Sequence, residues 1–193
     1  MPAENKITVA RIEKRLAVNK AAQPVHWGAA DQSAVLVTLL EEEGDLHFLF
    51  TRRTESLSMH RGQVSFPGGR AEAGDLTPRD TALRETREEI GVDATAIRVL
   101  GFLNGQKTFY GLTIIPVVGY LNWPVQLSIS AGEVSRAFSI PLAWFLDVEN
   151  REINPHQDEQ GLSHQVLYYR AYQGEVVWGI TAAIVDKFLE ILK

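Results

Sequence analysis

Apolar residues in this chain recur at two different spacings. Val9, Ile12 and Leu16 share one stripe at helical intervals, which predicts a first helix over Thr8 to Lys20 with a threonine cap. Ala21 to Ser33, carrying Pro24, Trp27 and Gly28, breaks that period and reads as a connection. Ala34 to Leu40 is a short continuous apolar run of the kind that makes a buried strand. Leu46 to Arg53 returns as a second strand after the acidic, hairpin-like turn Glu41-Glu42-Glu43-Gly44-Asp45.

Further along, Ile97 to Leu103, Leu112 to Leu121 and Glu133 to Ile140 predict strands, separated by loops at Asn104 to Gly111 and Trp123 to Gly132. Pro116 cannot donate to a ladder, so it predicts an edge or a bulge. Pro141 to Leu146 has room for one or two helical turns. Polar Asp147 to Ser163, with Pro155 and Gly161, reads as an irregular lid or surface excursion. Gln165 to Tyr172 and Glu175 to Trp178 suggest a hairpin through Gln173-Gly174, and Thr181 is placed to cap a last amphipathic helix from Ala182 to Leu192. Strands come in hairpins and outnumber long helices, which predicts an α+β domain with a mixed sheet covered by helices. There is no internal repeat, low-complexity tract or linker, and 193 residues suit one domain, 1–193, with a sizeable core.

The most informative stretch is Phe66 to Val92, a glycine loop followed by a carboxylate-rich helix. Thr77 is a good N-cap, Pro78 suits the first helical position, Asp80 falls where a capping-box acid sits, and Gly91 suits the left-handed residue that ends a helix. The predicted helix is Pro78 to Ile90. At about 100° per residue, Glu88 and Glu89 lie about −60° and +40° from Glu85, so three carboxylates share one stripe, while Leu83 and Ile90 face the other way. Such crowding costs a few tenths of a kcal/mol per like-charged pair. Arg84 and Arg87 offset part of it, and a hard divalent cation would offset more, since Mg²⁺ takes oxygen ligands and bridges carboxylates to phosphates. Taken alone, Arg-Glu-Thr-Arg-Glu-Glu reads first as a solvated helix face of mixed charge; the glycine loop in front of it shifts the balance toward a metal.

Composition narrows the field. Net charge is −5, which argues against general nucleic-acid binding. Arg52, Arg53, Arg61 and Arg70, with His60 nearby, form a local basic exception suited to a small anion; pairing with Glu55 and Glu72 is the alternative use for them. With no cysteine, a disulfide framework or thiol nucleophile is excluded. No apolar run approaches the ~18 residues of a membrane span, and no secretory leader is evident, so a cytoplasmic protein is expected. His60, His156 and His164 lack metal-ligand spacing, and Ser65 has no neighbouring base, which disfavours a nucleophilic serine. Phe109, Tyr110, Trp144 and Trp178 are candidates for stacking on a base or for core packing.

Gly69 to Val92 resembles the Nudix box, Gly-x5-Glu-x7-Arg-Glu-U-x-Glu-Glu-x-Gly-U, with U an aliphatic or similar residue. Arg84 to Val92 matches in register, with Thr86 at one U position. The loop acid is Asp75 instead of Glu, and eight residues separate it from Arg84 instead of seven. Leu76 precedes the Thr77 cap, so the loop absorbs the extra residue without rotating the helix; the departure bears on contact between Asp75 and Arg84. This longer box is similar to the coenzyme A pyrophosphatase branch of the family. So is an upstream motif, here Leu49-Phe50-Thr51-Arg52-Arg53-Thr54, Gly62 and Phe66-Pro67-Gly68-Gly69, in which Thr54 replaces Ser or Ala and Ser58 stands at an Arg position that Arg61 is close enough to replace. The likeness extends through Ile114 to Gly119, Glu133-Val134 and Val177 to Ala182.

The resemblance implies a mixed sheet sandwiched between helices in an α/β/α arrangement. It also implies metal-dependent hydrolysis of the pyrophosphate bond of coenzyme A or acyl-CoA, with Mg²⁺ or Mn²⁺ as cofactor, giving 3′,5′-ADP and the 4′-phosphopantetheine portion. Gly69, through its carbonyl, Glu85, Glu88 and Glu89 are the implied metal ligands; Arg52, Arg53, Arg61 and Gly68 the implied substrate contacts. The base is Glu85 or, outside the box, Glu133, with Glu152, Asp158 and Glu159 weaker choices in a polar loop. Arg84 is expected to orient Glu88 or Asp75 by an ion pair. Two other readings compete: a general nucleoside-diphosphate-X hydrolase acting on ADP-ribose, NADH or dinucleotide polyphosphates, and a non-catalytic nucleotide-binding module. The family pattern leaves oligomeric state open, a homodimer included.

Overall fold

The two apolar runs after the first helix pair antiparallel and found a sheet. A computed structural model describes residues 6–19, 21, 24, 26–55, 61–108, 111–157 and 161–193. Ser58, His60, Phe109, Tyr110, Asp158 and Glu159 lie outside the described residues. Strand β1 (Gln32–Glu42) turns through Glu43 and Gly44, both at positive φ, into β2 (Asp45–Arg53). Side chains of β1 alternate between two cores: Ala34, Leu36 and Leu40 face one side, Val37 and Leu39 the other. That is why the run is apolar throughout instead of alternating.

Short strands β3 (Val64–Ser65) and β4 (Gly68–Arg70) follow, then helix α2 (Pro78–Ile90), β5 (Ile97–Phe102), β6 (Gln106–Lys107), β7 (Thr113–Leu121) and β8 (Val134–Pro141). Together they make an eight-stranded mixed sheet whose main path is β3-β2-β1-β7-β5, with β4 on β1, β6 on β7 and β8 on β2. β1 runs parallel to β7 on one side. On its other side it holds β4 over Ser33 to Val35 and β2 from Thr38 onward. This split brings the Pro-Gly-Gly segment against the middle of the sheet.

Helix α2 covers one face, burying Ala82, Leu83 and Ile90 against Leu36, Leu40, Leu49, Val117 and Leu121. The other face is covered by α1 (Val9–Asn19), α3 (Leu142–Leu146) and α4 (Gly179–Leu192), around Phe48, which meets Phe188 at 5.1 Å between ring centroids. The result is the expected α/β/α sandwich. A separate two-stranded sheet of β9 (Arg151–Gln157) and β10 (Ser163–Tyr169) lies outside it.

Three expectations need correction. The polar stretch after Leu146 is not an irregular excursion: Arg151 to Gln157 pairs in register with Ser163 to Tyr169, while the chain does fold back through Gln173-Gly174 as expected, by the bridges Tyr172–Glu175 and Tyr168–Trp178 and by Tyr169 N donating to the Val177 carbonyl at 2.8 Å. Thr181 is not a cap. The last helix starts at Gly179, and the Thr181 hydroxyl donates 3.1 Å to the carbonyl of Val64. Pro116 sits on an interior strand; the break is in its neighbour, because β5 ends at Phe102 and β6 starts at Gln106, so the missing N–H meets a gap in the ladder and the Pro116 carbonyl still accepts from Leu103 N at 2.9 Å.

Candidate active site

Local sequence builds α2 as expected. The Thr77 hydroxyl accepts from Asp80 N at 3.3 Å and donates to the Asp80 carboxylate at 2.9 Å, and Gly91 ends the helix in the left-handed region at φ 72°. The carbonyls of Glu89 and Ile90 accept from Ser130 N and Ser128 N, both at 2.9 Å, which ties the helix end to the loop carrying Glu133.

Glu85, Glu88 and Glu89 project from one side of α2 into different surroundings. Glu88 is largely exposed, Glu85 mostly covered, and Glu89 only 2% accessible. Among the described residues, Oε2 of Glu89 has no hydrogen-bond partner. Burial is the chief reason its carboxyl is pushed up to about 8, with Glu85 and Glu133 adding to the effect; the Arg53 charge and a backbone hydrogen bond from Gly68 act the other way. Burial also raises Glu85, against the pull of Arg84. Glu133 is exposed, yet its charge reaches both carboxyls.

Arg84 is the hub. It forks onto Asp75, with Nε to Oδ1 at 3.2 Å and Nη2 to Oδ2 at 2.9 Å, and Nη2 also reaches the Arg70 carbonyl at 2.9 Å. Its Nη1 stands between Glu85 Oε1 and Glu88 Oε2, 3.0 Å from each. The one-residue-longer loop therefore keeps the Asp75–Arg84 contact. Burial alone would raise the Asp75 carboxyl, but donors from Arg84, the Glu72 N–H and Thr81 outweigh it and hold it below the usual range.

The two glycines of the loop serve different ends. A Cβ on Gly68 would lie 2.4 Å from the Ala34 carbonyl and 2.6 Å from the Val35 Cα, so that position is closed by the β4–β1 ladder itself. A Cβ on Gly69 would lie 2.3 Å from Glu85 Oε1, so that position leaves room for a functional side chain. The Gly69 carbonyl accepts from the Ser33 hydroxyl.

The arginines do not converge on one point. Arg53 points at the carboxylate stripe, its Nη1 3.8 Å from Glu89 Oε1. Arg52 is held by Glu175 at 3.1 Å and Glu55 at 3.2 Å, while Arg70 donates to the Ala30 carbonyl at 2.8 Å. Arg61 is exposed at the start of the segment leading to β3. Sequence reasoning missed Glu175, a carboxylate 5% accessible that joins Arg52 to Arg136; no local pattern marks it, since both partners are distant in the chain. It also missed that the strand register sets His156 opposite His164 and that His156 meets the Tyr168 hydroxyl at 3.0 Å. Among the described residues no three His, Asp or Glu side chains close on a single point; Arg84 occupies the space between two of the three stripe acids. The donor set is nonetheless all oxygen, with one orphaned buried carboxylate oxygen and a glycine cradle beside it, which suits a hard divalent ion.

Comparison with known proteins gives a consistent result. The NUDIX domain family description matches residues 30–160. The chain is 37% identical over 158 residues to "Nudix hydrolase 15, mitochondrial" of Arabidopsis thaliana, covering 79% of this chain and 55% of that one, so it spans about half the length of this relative. It is 32% identical over 169 residues to the Nudix hydrolase NudL of Yersinia enterocolitica, covering 87% and 85%. Among solved structures, a MutT/nudix family protein from Enterococcus faecalis superposes with a TM-score of 0.54 at 14% identity, covering 98% of this chain and 71% of that chain, a likeness of fold. No helix among the described residues is long and apolar enough to cross a membrane.

Proposed function

The chain belongs to the Nudix family, and from that premise we propose that it is a metal-dependent pyrophosphohydrolase that cleaves coenzyme A or its thioesters into 3′,5′-ADP and (acyl-)4′-phosphopantetheine. The observation that carries the reading is Glu89: a carboxylate sealed from water, with one oxygen unpartnered among the described residues, on the same stripe as Glu85 and Glu88 and beside the Gly68-Gly69 turn. An acid kept in that state needs a cation to ionise, and Arg53 at 3.8 Å is only part of one. Glu85, Glu88, Glu89 and the Gly69 carbonyl would hold Mg²⁺ or Mn²⁺, which when bound supplies Lewis-acid charge against the diphosphate.

The chain's own residues do the rest. Arg84 is a positioning residue that spaces Glu85 and Glu88 from its anchor on Asp75. Glu133 accepts the proton of the attacking water; it is exposed and close enough to Glu85 and Glu89 to affect both, with Glu85 the competing base. Arg53, with Arg61, meets the substrate's phosphates. Arg52 is committed to Glu175 and Glu55, so its part is indirect, through the hairpin turn it holds. Gly68 contributes backbone only. The choice of coenzyme A over other nucleoside diphosphates rests on the upstream motif, whose Arg53 reaches the stripe.

Incubation with a substrate panel in ¹⁸O water, followed by mass spectrometry of products, tests this reading. Coenzyme A should be cleaved faster than ADP-ribose, NADH or diadenosine polyphosphates, with label in one of the two phosphate products. Faster turnover of ADP-ribose or a dinucleotide would move the assignment to a general nucleoside-diphosphate-X hydrolase.

A further inference from the structure

Helix α2 contains two buried threonines that use their hydroxyls differently. Thr86 donates back to the carbonyl of Ala82 at 2.6 Å, the ordinary habit of a threonine inside a helix. Thr81, fully buried, sits one turn from the Thr77 carbonyl yet donates instead to Asp75 Oδ2 at 2.7 Å. Trp27 reaches the same hydroxyl. Its indole N–H lies 2.9 Å from the Thr81 oxygen, and an indole nitrogen can only donate. The hydroxyl therefore accepts from Trp27 and, since an ionised carboxylate only accepts, gives its single proton to Asp75, held between the two.

Asp75 thereby collects four donors: Thr81, the Glu72 N–H at 2.9 Å and two nitrogens of Arg84. The carboxylate cannot turn without losing several of them, and it fixes the plane of the Arg84 guanidinium, whose remaining nitrogen touches Glu85 and Glu88 at 3.0 Å each.

We propose that Trp27 and Thr81 are positioning residues of the hydrolytic site: a one-way hydrogen-bond relay, Trp27 to Thr81 to Asp75 to Arg84, sets the spacing of Glu85 and Glu88 from a segment that precedes the first strand. This rests on the reading of those two acids as metal ligands. Outer-shell partners of metal ligands typically change metal affinity or activity by 10- to 100-fold when removed.

The test is Mn²⁺ binding, followed by the loss of the free-ion electron paramagnetic resonance signal, in the wild type, Thr81→Val, Thr81→Ser and Trp27→Phe. Thr81→Val should weaken Mn²⁺ binding by roughly 10-fold, and the metal concentration for half-maximal hydrolysis should rise in step, while KM for coenzyme A at saturating metal stays put. Thr81→Ser, which keeps the hydroxyl, should restore binding to near the wild-type value. Trp27→Phe keeps an aromatic ring, smaller than the indole, against the core and removes the N–H donor, so it should shift binding in the same direction as Thr81→Val, and it carries the test should the valine variant not fold. Folded Thr81→Val or Trp27→Phe protein that binds Mn²⁺ as tightly as the wild type overturns the relay. Wild-type protein that binds no Mn²⁺ overturns instead the assignment of the site on which the relay rests.

Discussion

Glu89 is where burial and charge conflict most sharply. An unfolded glutamate ionises near about 4.3. In the folded chain the same carboxyl keeps its proton up to about 8, chiefly because it is buried. Between those values the native state binds a proton that the unfolded chain has lost, so the metal-free protein should lose stability as pH rises through that window. Glu89→Gln removes the dependence: in EDTA its Tm should match the wild type near the low end of the window and exceed it at the high end, and parallel melting curves throughout would contradict the assigned burial. With metal the order reverses, and turnover by Glu88→Gln or Glu89→Gln should fall by more than about 100-fold, beyond the usual cost of an outer-shell change, with the fold intact by circular dichroism. The neighbouring glycines separate packing from chemistry. Gly68→Ala would press a methyl into the backbone of Ala34 and Val35 and should lower Tm, whereas Gly69→Ala presses on the movable Glu85 side chain and should lower kcat more than stability.

At the level of elements, α2 was legible in the sequence to its boundary residues because its ends are encoded locally, by Thr77, Pro78 and Gly91. Thr77→Ala should destabilise the protein by about 1 kcal/mol in urea unfolding. Gly91→Ala should cost about 1–2 kcal/mol from its left-handed backbone, with more added because the new methyl would lie 2.7 Å from the Ser128 Cβ. The β1–β2 hairpin was legible in outline, since both strands are apolar on two covered faces, but β1 runs two polar residues past the apolar run at each end. β9 was not: most of Arg151 to Gln157 is exposed and polar, so a strand outside the core leaves no hydrophobic period to read. Thr181 failed for a related reason, because a cap and a threonine reaching a strand far away in the chain look alike in sequence. The carboxylate stripe could be read from helical spacing; the Trp27–Thr81 contact, between a connection and a helix, could not.

Across the whole molecule, the turn that follows β10 is tied to the sheet by Glu175, which is buried and shared by Arg52 at 3.1 Å and Arg136 at 2.7 Å. Either arginine alone leaves the carboxylate one partner. Replacing both by alanine leaves a buried charge uncompensated, and the double variant should lose about 3 kcal/mol or more, exceeding the sum of the single losses in denaturant titration. The sandwich in turn brings four pieces of chain to one place: the Pro-Gly-Gly turn on β1, the end of β2 with Arg53, the stripe of α2 and the loop before β8 with Glu133. The claim that this convergence is a metal-dependent hydrolytic centre is tested most directly by anomalous diffraction from crystals soaked in Mn²⁺. A peak bounded by Glu85, Glu88, Glu89 and the Gly69 carbonyl is expected, with Arg84 still forked on Asp75 and Glu85 and Glu88 each turning an oxygen to the ion. Crystals in which Arg84 keeps both acids and no peak stands beside Glu89 would contradict it.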